Sequence, residues 1–247
     1  MNAGKYFIIG IVLLLIAPLG GCSKGLSLRE VTTKAIVATS EAQSYRASAV
    51  DTYTVDGETG ESTYESEFVA PDRYRGKTSS NSSWHESIVI GDKGYIRSSD
   101  KPQWCQSPCQ YDDYTSVVEV SSISLEKELE PLNWLVGLEQ LPDEEIDGVD
   151  CWHYRGTVDM DSYVEKLKAK AEGKPPEYLV LVEEMRRWRQ SFELWVGKDD
   201  YLIRQLKNEA RYPVPEPGTG EEKWATRSTV ERFYDFNEPI QIEPPPT

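Results

Sequence analysis

The sequence predicts an α+β fold, a strongly curved antiparallel sheet forming an open half-barrel with helices covering its concave face. Three observations carry that expectation. Period-two runs joined by turn residues recur along the chain, helical periodicity opens the folded part, and a second helical stretch interrupts the strands midway.

The first helix is signalled by Ser27-Leu28-Arg29-Glu30, a capping box in which the Ser hydroxyl and the Glu carboxylate each satisfy an orphan backbone N–H. Leu28, Val31, Ala35, Ala38 and Ala42 follow at helical spacing. The period then switches to two. Tyr45, Ala47, Ala49, Asp51, Tyr53 and Val55 share one strand face, and after the turn at Asp56 to Gly60 a second run carries Tyr64, Ser66, Phe68 and Ala70. A third and a fourth strand are expected at Ser87 to Ile90 and Gly94 to Arg97, joined by Gly91-Asp92-Lys93-Gly94.

The middle reads as helical. Leu125, Leu129, Leu132, Trp134, Leu135, Val136 and Leu138 surround Pro131, which either kinks one helix or sits in the first turn of a second. Strand character returns at Cys151 to Val158. A helix is expected from Ser162, where Ser162-Tyr163-Val164-Glu165 forms another capping box, and a further one from Glu177 to Arg189. The apolar face of the latter is read as Tyr178, Leu181, Val182, Met185 and Trp188. Strands at Phe192 to Val196, Tyr201 to Ala210 and Trp224 to Phe236 complete the series, with a Pro/Gly loop over Arg211 to Lys223.

Composition agrees with one folded domain. The 247 residues include seven Trp, fourteen Tyr and five Phe, enough large apolar surface to build a core. With 27 Lys and Arg against 42 Asp and Glu, the formal net charge is −15. That balance argues against nucleic acid as a partner, and against docking on anionic lipid through a basic patch, because both need clustered cations.

The N-terminus reads as a processing signal. Lys5 precedes the uncharged run Tyr6 to Leu19, which is too short to span a hydrocarbon core needing ~20 helical residues. Leu19-Gly20-Gly21-Cys22 resembles the bacterial lipobox, in which the Cys thiol receives diacylglycerol and two or three acyl chains anchor the mature chain. The expected organisation is a cleaved signal peptide at 1–21, the lipidated Cys22 with a short tether to 26, one domain at 27–242, and a Pro-rich tail at 243–247.

A family resemblance sits on four segments. Gln43-Ser44-Tyr45-Arg46, Val69-Ala70-Pro71-Asp72-Arg73-Tyr74-Arg75, Ile90-Gly91-Asp92-Lys93-Gly94-Tyr95-Ile96-Arg97 with Trp104, and Phe192 to Arg204 together resemble the LolA/LolB and LppX/LprG lipoprotein superfamily. The resemblance implies a half-barrel plugged by helices that holds a lipid or lipoprotein acyl chain. The residues expected to line that space are Phe68, Ile88, Ile90 and Leu194 on the sheet, with Trp134, Leu138, Leu181, Met185 and Trp188 on the covering helices. The partners expected are a membrane, reached through the acyl chains, and a lipid or lipoprotein cargo, for a monomer in the bacterial envelope. The alternative is a sensing or interaction module of similar fold without lipid cargo.

With Cys22 acylated, Cys105, Cys109 and Cys151 remain, and one disulfide is expected in an oxidising compartment. The local Cys105–Cys109 pair is preferred over a link from either to Cys151. A metal site from these thiols and His153 matches no common zinc spacing. Neither a nucleophile elbow, a metalloprotease motif, a phosphate loop nor a dinucleotide fingerprint is present, so no catalytic residue, metal or cofactor is assigned, and a non-enzymatic role is expected.

Overall fold

The structure is a computed structural model that describes residues 26–81, 83–107, 109–111, 114–116, 125–215 and 221–246. The signal segment, Cys22 and most of its tether lie outside the described residues. Helix α1 is Leu28–Ser40, and it opens with the anticipated capping box: Glu30 N donates to Ser27 Oγ at 3.3 Å while Ser27 N donates to Glu30 Oε2 at 2.7 Å.

Strands β1 (Ser44–Val55), β2 (Glu58–Val69), β3 (Arg73–Ser80), β4 (Ser83–Ile90), β5 (Lys93–Ser98) and β6 (Cys105–Gln106) form a meander. A small two-stranded sheet follows, β7 (Cys109–Tyr111) with β8 (Tyr114–Ser116). Helix α2 (Leu125–Leu129) runs into a 3-10 turn at Glu130–Trp134, followed by β9 (Leu135–Ile146) and β10 (Val149–Val158). Helices α3 (Met160–Ala169) and α4 (Pro176–Glu184) come next, with a 3-10 turn at Met185–Arg187, then β11 (Arg189–Gly197), β12 (Ile203–Pro215) and β13 (Glu222–Tyr234).

The main sheet is antiparallel throughout, in the order β6-β5-β4-β3-β2-β1-β13-β12-β11-β10-β9. Its edge strands β6 and β9 do not pair with each other, so the barrel is open, with the helices on one side. This is the α+β half-barrel expected from the sequence.

The central helical reading is overturned beyond Trp134. Leu135–Ile146 is a strand, and it forms a hairpin with β10 through Asp147-Gly148, whose φ angles of 50° and 83° suit a turn of mirror-image type. The register slips once between Arg155 and Thr157 and once between Cys151 and His153, on the partner strand. Each slip inserts one extra residue in β9; the one opposite Arg155 to Thr157 lets Leu135 and Leu138, three residues apart as in a helix, both meet the core, while Leu141 pairs with His153 on the outer face. Pro142 is tolerated because β9 is an edge strand. Gly148→Ala, which meets no neighbour within 4 Å, is expected to cost about 1 kcal/mol through the left-handed backbone alone, measured by urea denaturation.

Strand β3 was not read from the sequence, because Tyr74 is its only large apolar residue. Helix α3 starts at Met160 rather than Ser162. Its cap is Asp159, whose Oδ1 accepts from Ser162 N at 3.2 Å and whose Oδ2 accepts from Ser162 Oγ at 2.7 Å. The next helix is also shorter than expected, and β12 and β13 extend into the segment read as loop. Past β13 the chain crosses the ends of β1 and β3: Ser44 Oγ donates to Glu238 O at 2.6 Å and Arg73 Nη1 to Ile242 O at 2.9 Å, with Ile242 buried.

Cross-strand register sorts the side chains by face. Tyr45, Phe68, Tyr74 and Val89 are successive partners across β1 to β4, and Ala49, Glu231, Leu206, Leu194 and Tyr154 across β1 and β13 to β10. Both rows face inward. Tyr45 of the first row and Leu206, Leu194 and Tyr154 of the second, with Phe68 against them, pack with Val31 and Ala35 of α1, Leu129 of α2, and Leu132 and Leu135 into one closed core.

Candidate functional site

The inward face changes character along its length. Successive inward positions run Phe233, Glu231, Thr229, Arg227 on β13, Leu206, Asn208, Ala210 on β12, and Leu194, Phe192, Gln190 on β11. Apolar side chains beneath α1 and α2 thus give way to small and polar ones toward the far end. There a cleft of about 880 Å³ opens, bordered by strand residues of both faces, Ala210, Gln190 and Arg227 together with Ser191, Glu209 and Ser228, and by Val158, Met160, Asp161, Arg186 and Trp188 at the α3 end. Val158 and Met160 belong to the core and Trp188 packs against it, so the cleft adjoins the core at its α3 end.

The polar floor is internally satisfied. Gln190 Nε2 donates to Asn208 Oδ1 at 3.0 Å, while Arg227 Nε and Thr229 Oγ1 both donate to Asp51 Oδ1 at 2.7 Å. Trp188 stacks obliquely on Tyr212 with ring centroids 5.1 Å apart. On the wall, Arg186 Nη1 donates to Asp161 Oδ1 at 3.0 Å and Arg186 also pairs with Glu165 and Glu183. Glu209, also on the cleft, pairs with Lys207 at 2.9 Å, and the Ser162 hydroxyl and N–H hold the Asp159 carboxyl below its usual range. Every carboxylate of the cleft therefore has a structural partner, and the unoccupied volume is bordered by aliphatic, aromatic and already-paired polar groups.

The residues expected to line an apolar cavity separate into four environments. Trp188 borders the cleft. Leu194 lies in the closed core, and Phe68, Trp134, Leu138 and Met185 pack against that core, half-buried. Ile88 and Ile90 are on the opposite face of the sheet, since Val89 between them is the partner of inward-facing Tyr74. That correction follows from period-two alternation: one residue of offset moves a side chain through the sheet. Leu181 is 68% exposed, because α4 buries Val182 and half-buries Tyr178 instead. The Trp134/Leu138 lid helix does not exist, Trp134 being in a 3-10 turn and Leu138 in β9. The cleft residues missed were Ala210, Gln190 and Arg227, and their signal was the loss of apolar character at alternate positions of three strands.

Between α2 and the sheet lies one buried acid. Glu231 is 8% exposed among Tyr45, Tyr64 and Tyr74, and burial together with its hydrogen bond to the Glu128 carboxyl pushes it far above the usual carboxylate range. The Tyr64 and Tyr74 hydroxyls hydrogen-bond each other nearby.

The outer face carries a second cluster. His153 is buried between Glu193, at 2.9 Å from Nε2, and Glu144, at 3.5 Å from Nδ1, and it stacks on Trp195 with centroids 4.1 Å apart. Cys151 is a buried free thiol whose Sγ donates to Val149 O at 3.3 Å, which removes the disulfide alternatives that involve it. The side chain of Cys109 lies outside the described residues. Among the described residues, no group of three His, Cys, Asp or Glu is arranged to hold a metal, and no helix is long and apolar enough to cross a membrane.

No family model matches the chain, and no curated protein matches its sequence. Among solved structures, it is similar to the lipoprotein LppX of Mycobacterium tuberculosis, at 14% identity over 87% of this chain and 97% of that one, with a TM-score of 0.47. It is also similar to LprF of Mycobacterium bovis, at 12% identity over 88% and 96%, with a TM-score of 0.48. A LolA superfamily protein of Nitrosomonas europaea is similar at 10% identity over 87% and 95%, with a TM-score of 0.29. These are likenesses of overall chain path.

Proposed function

We propose that this protein is a lipid-anchored carrier or acceptor of the bacterial envelope, which holds the hydrocarbon part of an amphiphile in the cleft beside α3. The observation that carries the reading is the cleft of about 880 Å³, continuous with the apolar core through Val158, Met160 and Trp188. That volume lies within the ~300–1,000 Å³ of small-molecule sites. Transfer of a chain of about sixteen carbons from water is worth about 13 kcal/mol before ordering costs, at ~0.8 kcal/mol per methylene. The polar floor and the arginines of the wall suit the headgroup end, so the ligand is an amphiphile rather than a bare hydrocarbon.

In this reading, acyl chains on Cys22 place the domain on the extracytoplasmic side of a membrane as a monomer, and a Cys105–Cys109 bridge closes its short loop. The role is non-catalytic. In support, the carboxylates of the cleft are all engaged in caps or ion pairs, and His153 is held on the other face. The mixed lining also fits the second reading, an interaction module that receives an extended polypeptide segment in the same cleft.

Ala210→Trp tests the choice by filling the floor. It is expected to weaken binding of a fluorescent sixteen-carbon fatty acid at least tenfold, with the thermal midpoint within a few degrees of the parent. Organic extraction of the gently purified protein, followed by mass spectrometry, is expected to release lipid. A protein that yields no lipid and binds the fatty acid equally well with Trp at 210 is not a carrier of this kind.

A further inference from the structure

Helix α4 exposes the wrong side for a helix facing only water. Leu179, Val180 and Leu181 are 42%, 63% and 68% exposed. Three consecutive residues sweep about 200° of a helix, so most of the outward surface at this level is aliphatic. The helix needs none of them for its own packing, which uses Val182 at 3% exposure together with Tyr178 and Met185. Exposed aliphatic surface of this kind, on an element that could have carried polar residues, marks a contact.

From this we infer that α4 docks on the surface of the bilayer that holds the anchor, with Leu179, Val180 and Leu181 inserted among the lipids. Two further observations select a bilayer as the occupant. The chain beyond the described residues leaves from the same end of the domain. Arg29, in the first turn of α1, hydrogen-bonds Leu135 O, and Trp134 O accepts from Asp159 N at 2.9 Å, at the start of the α3–α4 hairpin. Only Ser23, Lys24 and Gly25 separate Cys22 from Leu26, so the tether spans at most ~15 Å, and Val180 is only about 10 Å along α4 and the 3-10 turn from Arg186 on the cleft wall.

Most charges at the C-terminal end of α4 are compensated, although Glu177 in its first turn has no ion pair among the described residues and the chain as a whole carries −15. Glu183 pairs with Lys168 and Arg186, Glu165 with the same two cations, and Glu184 and Glu222 with Arg187. The local surface thus meets a membrane as apolar side chains flanked on their C-terminal side by neutralised pairs. Attachment is by insertion rather than by a basic patch. It would set the cleft mouth close to the lipid from which an amphiphile is taken.

This rests on the anchoring part of the proposed function, and the test separates the two. The full chain carrying Val180→p-benzoylphenylalanine is expressed in a bacterial host, its membranes are collected and irradiated, and the peptide around residue 180 is analysed by mass spectrometry. The same photoreactive group at Val50, 44% exposed on the outer face of the sheet, is the reference. Phospholipid adducts at 180 are expected to exceed those at 50 at least fivefold, and to fall at least fivefold when Leu179→Gln and Leu181→Gln are added. A membrane-bound chain whose residue 180 captures protein, or no more lipid than residue 50, overturns the docking surface and leaves the anchor standing. A chain recovered in the soluble fraction overturns both.

Discussion

Leu194→Ala is expected to destabilise the domain by about 2–5 kcal/mol, a large part of the 5–15 kcal/mol that holds a typical domain together. Leu194 is fully buried, between Leu206 and Tyr154 in one inward row and within the cluster that includes Leu129, Leu132 and Phe192. Truncation there removes contacts on every side, and a close-packed interior only partly relaxes into the space. The same substitution distinguishes a filled core from a lipid cavity. A residue bordering open volume has fewer contacts to lose, so a urea-denaturation loss below about 1 kcal/mol would put the hollow beneath α2 and contradict the position of the cleft.

Glu231→Gln is expected to change the pH dependence of stability. Burial and the Glu128 carboxyl raise the Glu231 proton affinity in the folded state, whereas the unfolded chain ionises as an ordinary glutamate. Above the ordinary carboxylate range, the folded state therefore binds a proton that the unfolded state lacks. Stability falls as pH rises through that window, with a limiting slope of about 1.4 kcal/mol per pH unit. The amide preserves the shape and a hydrogen bond toward Glu128 but cannot ionise. Relative to the parent, the variant should gain about 1–3 kcal/mol between pH 5 and pH 8, read from urea curves at the two values. Parallel pH profiles for the two proteins would show Glu231 ionised in the folded state, which its burial beside Glu128 forbids.

Local chemistry was legible from the chain alone. The Ser27–Glu30 box, the hairpin from Tyr45 to Val69, the Gly91-to-Gly94 turn and the strands after Phe192 each depend on residues close in sequence, and each is present. Readings that counted apolar residues without a partner strand went astray. In β9, one inserted residue let Leu135 and Leu138, three apart as in a helix, both meet the core. In β4, Val89 rather than Ile88 or Ile90 turned inward, because its partner is Tyr74. In α4, helical spacing put Leu181 and Val182 on one face, although packing buried only the second.

The sequence by itself determined an acidic, aromatic-rich α+β chain with meandering antiparallel strands. Tertiary structure decided which side of each strand faces inward, where the interior is filled and where it stays open. The reason is that strand register joins residues far apart in the chain. Ala210 and Gln190 meet at the cleft because β12 pairs with β11 in one particular alignment, and a shift of one residue would have set each opposite a different partner.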